Sequence, residues 1–328
     1  MLKPIDEYST NIININNKTE IQISAFDVLN KSLLTKEDFF KISQDCKIPQ
    51  FKESDINFIN SIEIDSNSVI YLVKDKFTKK HYSLKRVICQ DIQEILKHKK
   101  ELELCYSLNH PNLIKIYNIY FKYLDFTTYI LYILMEKADS TWEKEIEQRA
   151  ETKNYYSEKE LINIIKQLVD DILYLQKKGI SHRNIKPSNI LICENNTYKI
   201  SDLDEVKENN TNENKLATLK GNQLFMAPNL FFVLKYDGNC IKVKHNLFKS
   251  DVFSLGYCFL YAMSLDLRLI KSLRKETSMI DVFSILKRFG IETKYSQEFM
   301  NIIYKMIQTD ENKRYDFYEL SNDINKNF

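Results

Sequence analysis

Residues Ser181 to Ile192 read SHRNIKPSNILI, and ten residues further on the chain continues with Asp202-Leu203-Asp204. The stretch is polar, carrying His182, Arg183, Asn184, Lys186 and Asn189, and short apolar runs flank it. Upstream, Ser157-Glu-Lys-Glu160 is a helix-capping box. Leu161, Ile164, Ile165, Leu168, Ile172 and Leu175 then fall on one helical face, with Gly179 placed to end the helix. Downstream, Asn195-Asn196 predicts a hairpin turn between Ile190–Cys193 and Tyr198–Ile200. The sequence therefore predicts a polar loop held between a core helix and a hairpin, with a carboxylate just beyond.

This loop resembles the catalytic loop of eukaryotic protein kinases, H-R-D-x-K-x-x-N, and Asp202-Leu203-Asp204 resembles the metal-binding D-F-G that follows it. His182, Arg183, Lys186, Asn189 and Asp202 match. In that family the Asp after His-Arg takes the proton of the substrate hydroxyl, the Lys meets the transferred phosphate, and the Asn and the D-F-G Asp hold magnesium. Asn184 stands where the family has its base. An amide does not accept that proton near neutral pH, because its lone pair is delocalised into the carbonyl. The I-K-P-S-N form of the loop resembles Ser/Thr kinases.

Outward from the loop the resemblance continues. Ile59, Ile62 and Ile64, then Val69 to Val73, then His81 to Val87 read as three strands. The last resembles the strand that carries the ATP lysine, here Lys85. Asp91 to Ser107 is helical and places Glu101 at the family's helix-C glutamate, and Asn109 to Ile114 resembles the turn after that helix. Tyr129 to Ala138 resembles the strand and hinge along adenine. There Met135 would line the pocket and the backbone of Glu136 to Ala138 would contact the base, with Ile62, Ile70 and Leu191 also lining it. Phe225 to Asn229 resembles Y-M-A-P-E. Lys249 to Gly256 resembles the start of the buried large-lobe helix, where Asp251 would bond the catalytic-loop backbone near His182-Arg183. Met306 to Arg314 resembles the closing helix motif.

The expected fold class is therefore α+β, the bilobal protein kinase fold. A small antiparallel-sheet lobe with helix C would span 58–136, and a larger helical lobe 139–324. Residues 1–57 read as an extension: a polar arm, then a short helix after Thr35-Lys-Glu-Asp, packing on the main domain.

Composition narrows the function classes. The 328 residues carry 47 Lys plus Arg against 45 Asp plus Glu, a net charge of only +2, so no bulk attraction to nucleic acid or membrane follows. The six cysteines are scattered without a C-x-x-C pair, which suits reduced thiols better than disulfides or zinc. No apolar run reaches the ~20 residues that span a bilayer, and Met1 to Lys18 is polar. A cytoplasmic, intracellular protein is expected.

Against the family pattern stand several departures. Aligned on Ile70, the phosphate loop has Glu63, Asp65 and Ser68 at its three glycine positions. Side chains there hold the backbone away from phosphates, and carboxylates repel them. Alternation along the strand would turn Ile62 and Ile64 toward the nucleotide and Glu63 and Asp65 outward. Asp204 replaces the D-F-G glycine, Asn222 a substrate-binding threonine, Ser83 the alanine over adenine, and Leu203 the D-F-G Phe. Asn229 replaces the A-P-E glutamate, so Arg314 loses its usual buried partner. His182, Leu203, Cys105 and Ile116 can still form the apolar column linking the lobes.

Together these features imply a pseudokinase with weak ATP and Mg²⁺ binding, little or no phosphotransfer, and a regulatory or scaffolding role toward a protein partner. The alternative is a divergent active Ser/Thr kinase; a purely structural domain is disfavoured because Lys85, Glu101, Asn189 and Asp202 persist. Thr218-Leu-Lys-Gly221 resembles the T-L-x-G around a phosphorylated activation-loop threonine. The resemblance implies that another kinase phosphorylates Thr218, and that Arg183, Lys207 and Lys97 receive the phosphate.

Overall fold

A computed structural model describes residues 36–64, 68–125, 128–202, 207–208, 215–236, 242–274 and 278–328. Two compact units are distinguished, 1–45 and 46–328. In the first, the helix expected after Thr35 is present as α1 (Lys36–Gln44), while Thr35 itself lies outside the described residues.

The second unit begins with a five-stranded antiparallel sheet in the order β1-β2-β3-β5-β4. Its strands are β1 (Ile56–Ile64), β2 (Ser68–Asp75), β3 (His81–Cys89), β4 (Ile116–Asp125) and β5 (Thr128–Met135). Helix α2 (Ile92–Ser107) joins β3 to β4. It starts where Asp91 accepts the Glu94 amide at 2.9 Å, an N-cap that satisfies one of the helix's orphan donors. Residues 47–56, read from sequence as extension, are built into this lobe. The Lys47 N–H donates to Glu103 of α2, Ile48 is buried, and Pro49 and Phe51 exchange backbone bonds with Ile119 along the open edge of β4. An edge strand left open invites pairing with other chains, and this strap covers it.

After Met135 the chain enters the larger lobe through β6 (Ser140–Thr141), α3 (Trp142–Thr152) and α4 (Glu158–Lys177). The capping box at α4 forms as its sequence implies: Ser157 and Glu160 each bond the other's amide. Gly179 follows the helix at φ +71°. Next come β7 (Ile180–Ser181), β8 (Ile190–Cys193) and β9 (Thr197–Ile200), the last two joined through Asn195 and Asn196, both at positive φ. Strands β6, β8 and β9 form a small sheet. Then follow β10 (Lys207–Glu208), β11 (Lys215–Thr218), α5 (Pro228–Tyr236) and β12 (Lys242–His245).

Helix α6 (Leu247–Ser264) is buried at every residue except Lys249. It is the axis of the large-lobe core, around which α7 (Leu267–Leu273), α8 (Met279–Arg288), α9 (Gln297–Met306) and α10 (Phe317–Asn327) complete the lobe. The order of layers, a sheet with one helix followed by a helical body, is the bilobal arrangement expected. Among the described residues, no helix is long and apolar enough to cross a membrane.

Candidate active site

The polar loop of 181–189 is held from below by one carboxylate. Asp251, on α6 and 1% exposed, accepts the amides of His182 and Arg183, both at 2.7 Å, as the sequence implied. Burial pushes its pKa up to about 7, against the two amide bonds, which favour the anion. His182 is fully buried; its Nδ1 accepts the Asn184 amide at 3.2 Å, which leaves Nε2 to carry the proton donated to the Ser201 carbonyl at 3.0 Å. Arg183 takes φ +69° and Asp202 φ +62°, left-handed backbone that a non-glycine residue adopts only under such constraint.

Asn189 ties the loop to the carboxylate beyond it. It is 6% exposed and donates through Nδ2 to the Asn184 carbonyl at 2.9 Å and to Asp202 Oδ2 at 3.3 Å. Lys85, reaching from β3, places Nζ 2.5 Å from Asp202 Oδ1. Thus Lys85, Asn189 and Asp202, far apart in sequence, meet at one point between the lobes. Lys186, half-buried, opens the 3₁₀ turn Pro187–Asn189. On α2, Glu101 has Lys97 Nζ at 3.9 Å and His98 Nδ1 at 3.8 Å.

An apolar cluster brings residues of both lobes together. Ile114, Met135, Leu191 and Cys193 form one buried cluster, with Ile70 and Ala138 packed against it. Ile70, Met135, Ala138 and Leu191, expected from sequence to line a base pocket, are therefore neighbours. Glu136 turns its carboxylate to Lys199 Nζ, 2.8 Å from both oxygens. Ile62 is half-buried, and its carbonyl accepts from Lys144 Nζ at 3.3 Å.

The matching family model, for a protein kinase domain, covers residues 64–323. The chain belongs to the protein kinase family. Among curated proteins the chain is 25% identical over 284 residues to a probable serine/threonine-protein kinase of Dictyostelium discoideum, covering 82% of this chain and 24% of the relative. It is 23% identical to calcium-dependent protein kinase 6 of Plasmodium berghei, covering 95% of this chain and 20% of that protein. With CBL-interacting protein kinase 26 of Oryza sativa it shares 24% identity over 69% of this chain and 44% of the other. The chain thus spans less than half the length of each of these relatives.

One sequence expectation for this chain is corrected. The strand alternation predicted at the phosphate loop is broken: Ser61 pairs with Tyr71 but Glu63 pairs with Ile70, so Ile62 is the extra residue of a bulge. In the register, Glu63 is the partner of Ile70 and Ile64 that of Val69. Arg314, whose usual partner is replaced by Asn229, has other partners. It is 1% exposed and donates to the carbonyls of Gln308, Lys249 and Thr309, with its guanidinium over the Phe253 ring. Glu311 supplies the opposing charge, and it accepts from Asn229 Nδ2 at 3.4 Å and the Asn246 amide at 3.1 Å.

The residues expected from sequence to act in regulation lie partly apart from the polar loop of 181–189. Thr218 ends β11, which pairs antiparallel with β12; Thr218 lies opposite Lys242 and Ala217 opposite Val243. Sequence reading missed β12 entirely, since KVKH carries no turn or periodicity signal long enough to mark a strand. Lys207 lies opposite Ser181 in the β10–β7 pair, one residue before His182. Arg183 lines a cleft with Lys220, Gly221, Asn222 and His245. Gly221 takes φ +111°, and a Cβ there would lie 2.8 Å from the Arg183 carbonyl. Lys97 is half exposed on α2. Asp65, Leu203 and Asp204 lie outside the described residues, whereas Cys105 and Ile116 join the large-lobe core cluster.

The donors fit the expected groups in a specific way. Mg²⁺ is usually held by one or two side-chain oxygens plus the phosphates of a nucleotide, not by an all-protein cage. Asp202 and Asn189 could supply that small oxygen set. Among the described residues, no group of three or more His, Cys, Asp or Glu could hold a metal on its own.

Proposed function

We propose that this protein kinase domain binds ATP and Mg²⁺ weakly, transfers phosphate poorly or not at all, and acts as a regulatory or scaffolding pseudokinase toward a protein partner. The observation that carries this reading is Asn184. Its backbone is fixed from both sides, by His182 Nδ1 and Asn189 Nδ2, in a loop whose anchor to Asp251 is intact. The frame of a catalytic loop is present and only the proton-accepting side chain is changed. A general base contributes typically about 10²–10⁴-fold, so its loss alone weakens phosphotransfer strongly. Glu63, Ser68, Asp65 and Asp204 at glycine positions remove further phosphate contacts.

In this reading Asp202 and Asn189 hold the metal, Lys85 and Glu101 align the α- and β-phosphates, and Lys186 meets the γ-phosphate. Ile62, Ile70, Met135 and Leu191 enclose the base beside Glu136–Ala138. The second reading, a divergent active Ser/Thr kinase in the cytoplasm, is favoured by the convergence of Lys85, Asn189 and Asp202 and by the Ser/Thr kinases among its relatives. Titration with ATP, with and without Mg²⁺, on the wild type and Lys85→Ala, separates the readings when run beside a phosphotransfer assay. The expected result is weak, Mg²⁺-assisted binding that Lys85→Ala abolishes, with little transfer. Robust transfer that depends on Lys85 overturns the pseudokinase reading.

Thr218 is proposed as the point of control, phosphorylated by another kinase. Arg183, Lys207 and Lys97 are its proposed receptors, since a phosphate adds about −1.5 to −2 charges and orders loops through charge-assisted bonds. Hydrogen exchange across 202–228 tests it. Added protection in the phospho-Thr218 protein, removed by Arg183→Ala, is the expected result.

A further inference from the structure

Three amides of the segment joining the lobes have partners within the chain. The Glu136 N–H donates to the Lys115 carbonyl at 2.8 Å, and the Asp139 N–H to the Ile192 carbonyl at 2.7 Å. Between them, the Ala138 N–H donates to a side chain, Ser83 Oγ, at 3.3 Å. Ser83 is 2% exposed and lies opposite Met135 in the β3–β5 register. Met135 belongs to the apolar cluster with Ile114, Leu191 and Cys193, and Ala138 and Ile70 pack against it. The hydroxyl is thus a buried polar group on an otherwise apolar wall, where an unpaired hydroxyl is costly, and the Ala138 amide satisfies it. An alanine at position 83 would leave that amide without this acceptor.

We propose that Ser83 is an affinity- and specificity-determining residue of the nucleotide site, an inference that rests on the reading of this apolar cluster as the site of the base. With no ligand bound, the hydroxyl engages the Ala138 amide. A purine that offers a ring-nitrogen acceptor to that amide exchanges one bond for another and gains little. Wild-type protein therefore discriminates weakly between bases that carry this acceptor and bases that lack it. Removing the hydroxyl frees the amide and makes the acceptor count. One neutral hydrogen bond has a net worth of about three- to ten-fold in affinity.

The test uses the full chain and Ser83→Ala. First, amide exchange is followed by NMR without nucleotide: Ala138 is expected to exchange faster in Ser83→Ala, while Glu136 and Asp139 stay unchanged. Second, both proteins are titrated with ATP and with an ATP analogue whose base has C–H in place of N1. The wild type should bind the two alike to within about two-fold. Ser83→Ala should bind ATP about three- to ten-fold more tightly and prefer it over the analogue by a similar factor. Unchanged Ala138 exchange in Ser83→Ala overturns the proposal, as does a wild type that already prefers ATP as strongly as the variant. If neither protein binds ATP, the nucleotide reading fails and the affinity role with it, while the exchange arm still reports the Ser83–Ala138 bond separately.

Discussion

At the scale of single residues, Asp251 and Gly221 fix the loop that matters most, from opposite sides. Asp251 uses both carboxylate oxygens on two adjacent amides. An asparagine offers one oxygen and turns an NH₂ toward an N–H, so one buried donor goes unpaired. Asp251→Asn is expected to lower stability by about 2–3 kcal/mol, read from the urea midpoint. Gly221 combines φ +111° with a 2.8 Å approach to the Arg183 carbonyl, so any Cβ meets both a disfavoured backbone and a rigid neighbour. Gly221→Ala is expected to cost about 1–3 kcal/mol and to raise amide exchange at Arg183 and Asn184; unaltered exchange there would falsify the close packing as the cause. The sequence made Asp251 legible because its partners belong to the same recognisable motif set. Ser83 read as a mild change from alanine, because its acceptor role depends on Ala138, 55 residues away.

Among the elements, those with local signals were readable. The α4 capping box, the Asn195-Asn196 turn and α2 were each legible in a few neighbouring residues, and each formed. The features that escaped are pairings between distant segments. Neither Pro49–Phe51 along β4 nor β12 against β11 leaves a trace within a short window. The bulge at Ile62 escaped for a related reason: one extra residue reverses an alternation, and nothing in NSIEI announces it. The β11–β12 ladder can be tested directly. Val243 lies opposite Ala217, and a proline there removes the Val243 N–H and cannot occupy the interior of a ladder easily. Val243→Pro is expected to raise hydrogen exchange over 215–218 while leaving α6 protected, measured by peptide-level mass spectrometry. Equal protection in both proteins would show that β12 does not order this stretch.

For the whole molecule, pH acts through buried groups that hold protons more tightly when folded. His110 is raised by its hydrogen bond to Asp171, against the pull of desolvation, with Asp170 contributing from 3.2 Å. Burial pushes Asp171 and Asp251 each to about 7. A group whose pKa is raised by folding contributes stability at low pH and loses it as pH climbs through its folded value. The thermal midpoint is therefore expected to fall between pH 5 and pH 8. Asp171→Asn should make that fall shallower; an unchanged slope would assign the effect elsewhere. Carboxylates lowered by folding, such as Glu160 and Asp266, act only near and below about pH 4 and stay outside this window.

The three amide bonds of the connecting segment also carry a mechanical meaning. Glu136 and Ala138 are fastened to Lys115 and Ser83, which lead into or belong to the small lobe's sheet. Asp139 is fastened to Ile192 of β8, in the large lobe. The stitching changes sides at a single peptide link. Of the three amide bonds none spans the Ala138–Asp139 link, while the Glu136–Lys199 ion pair and the Ile114–Ile200 backbone bond also tie the two lobes.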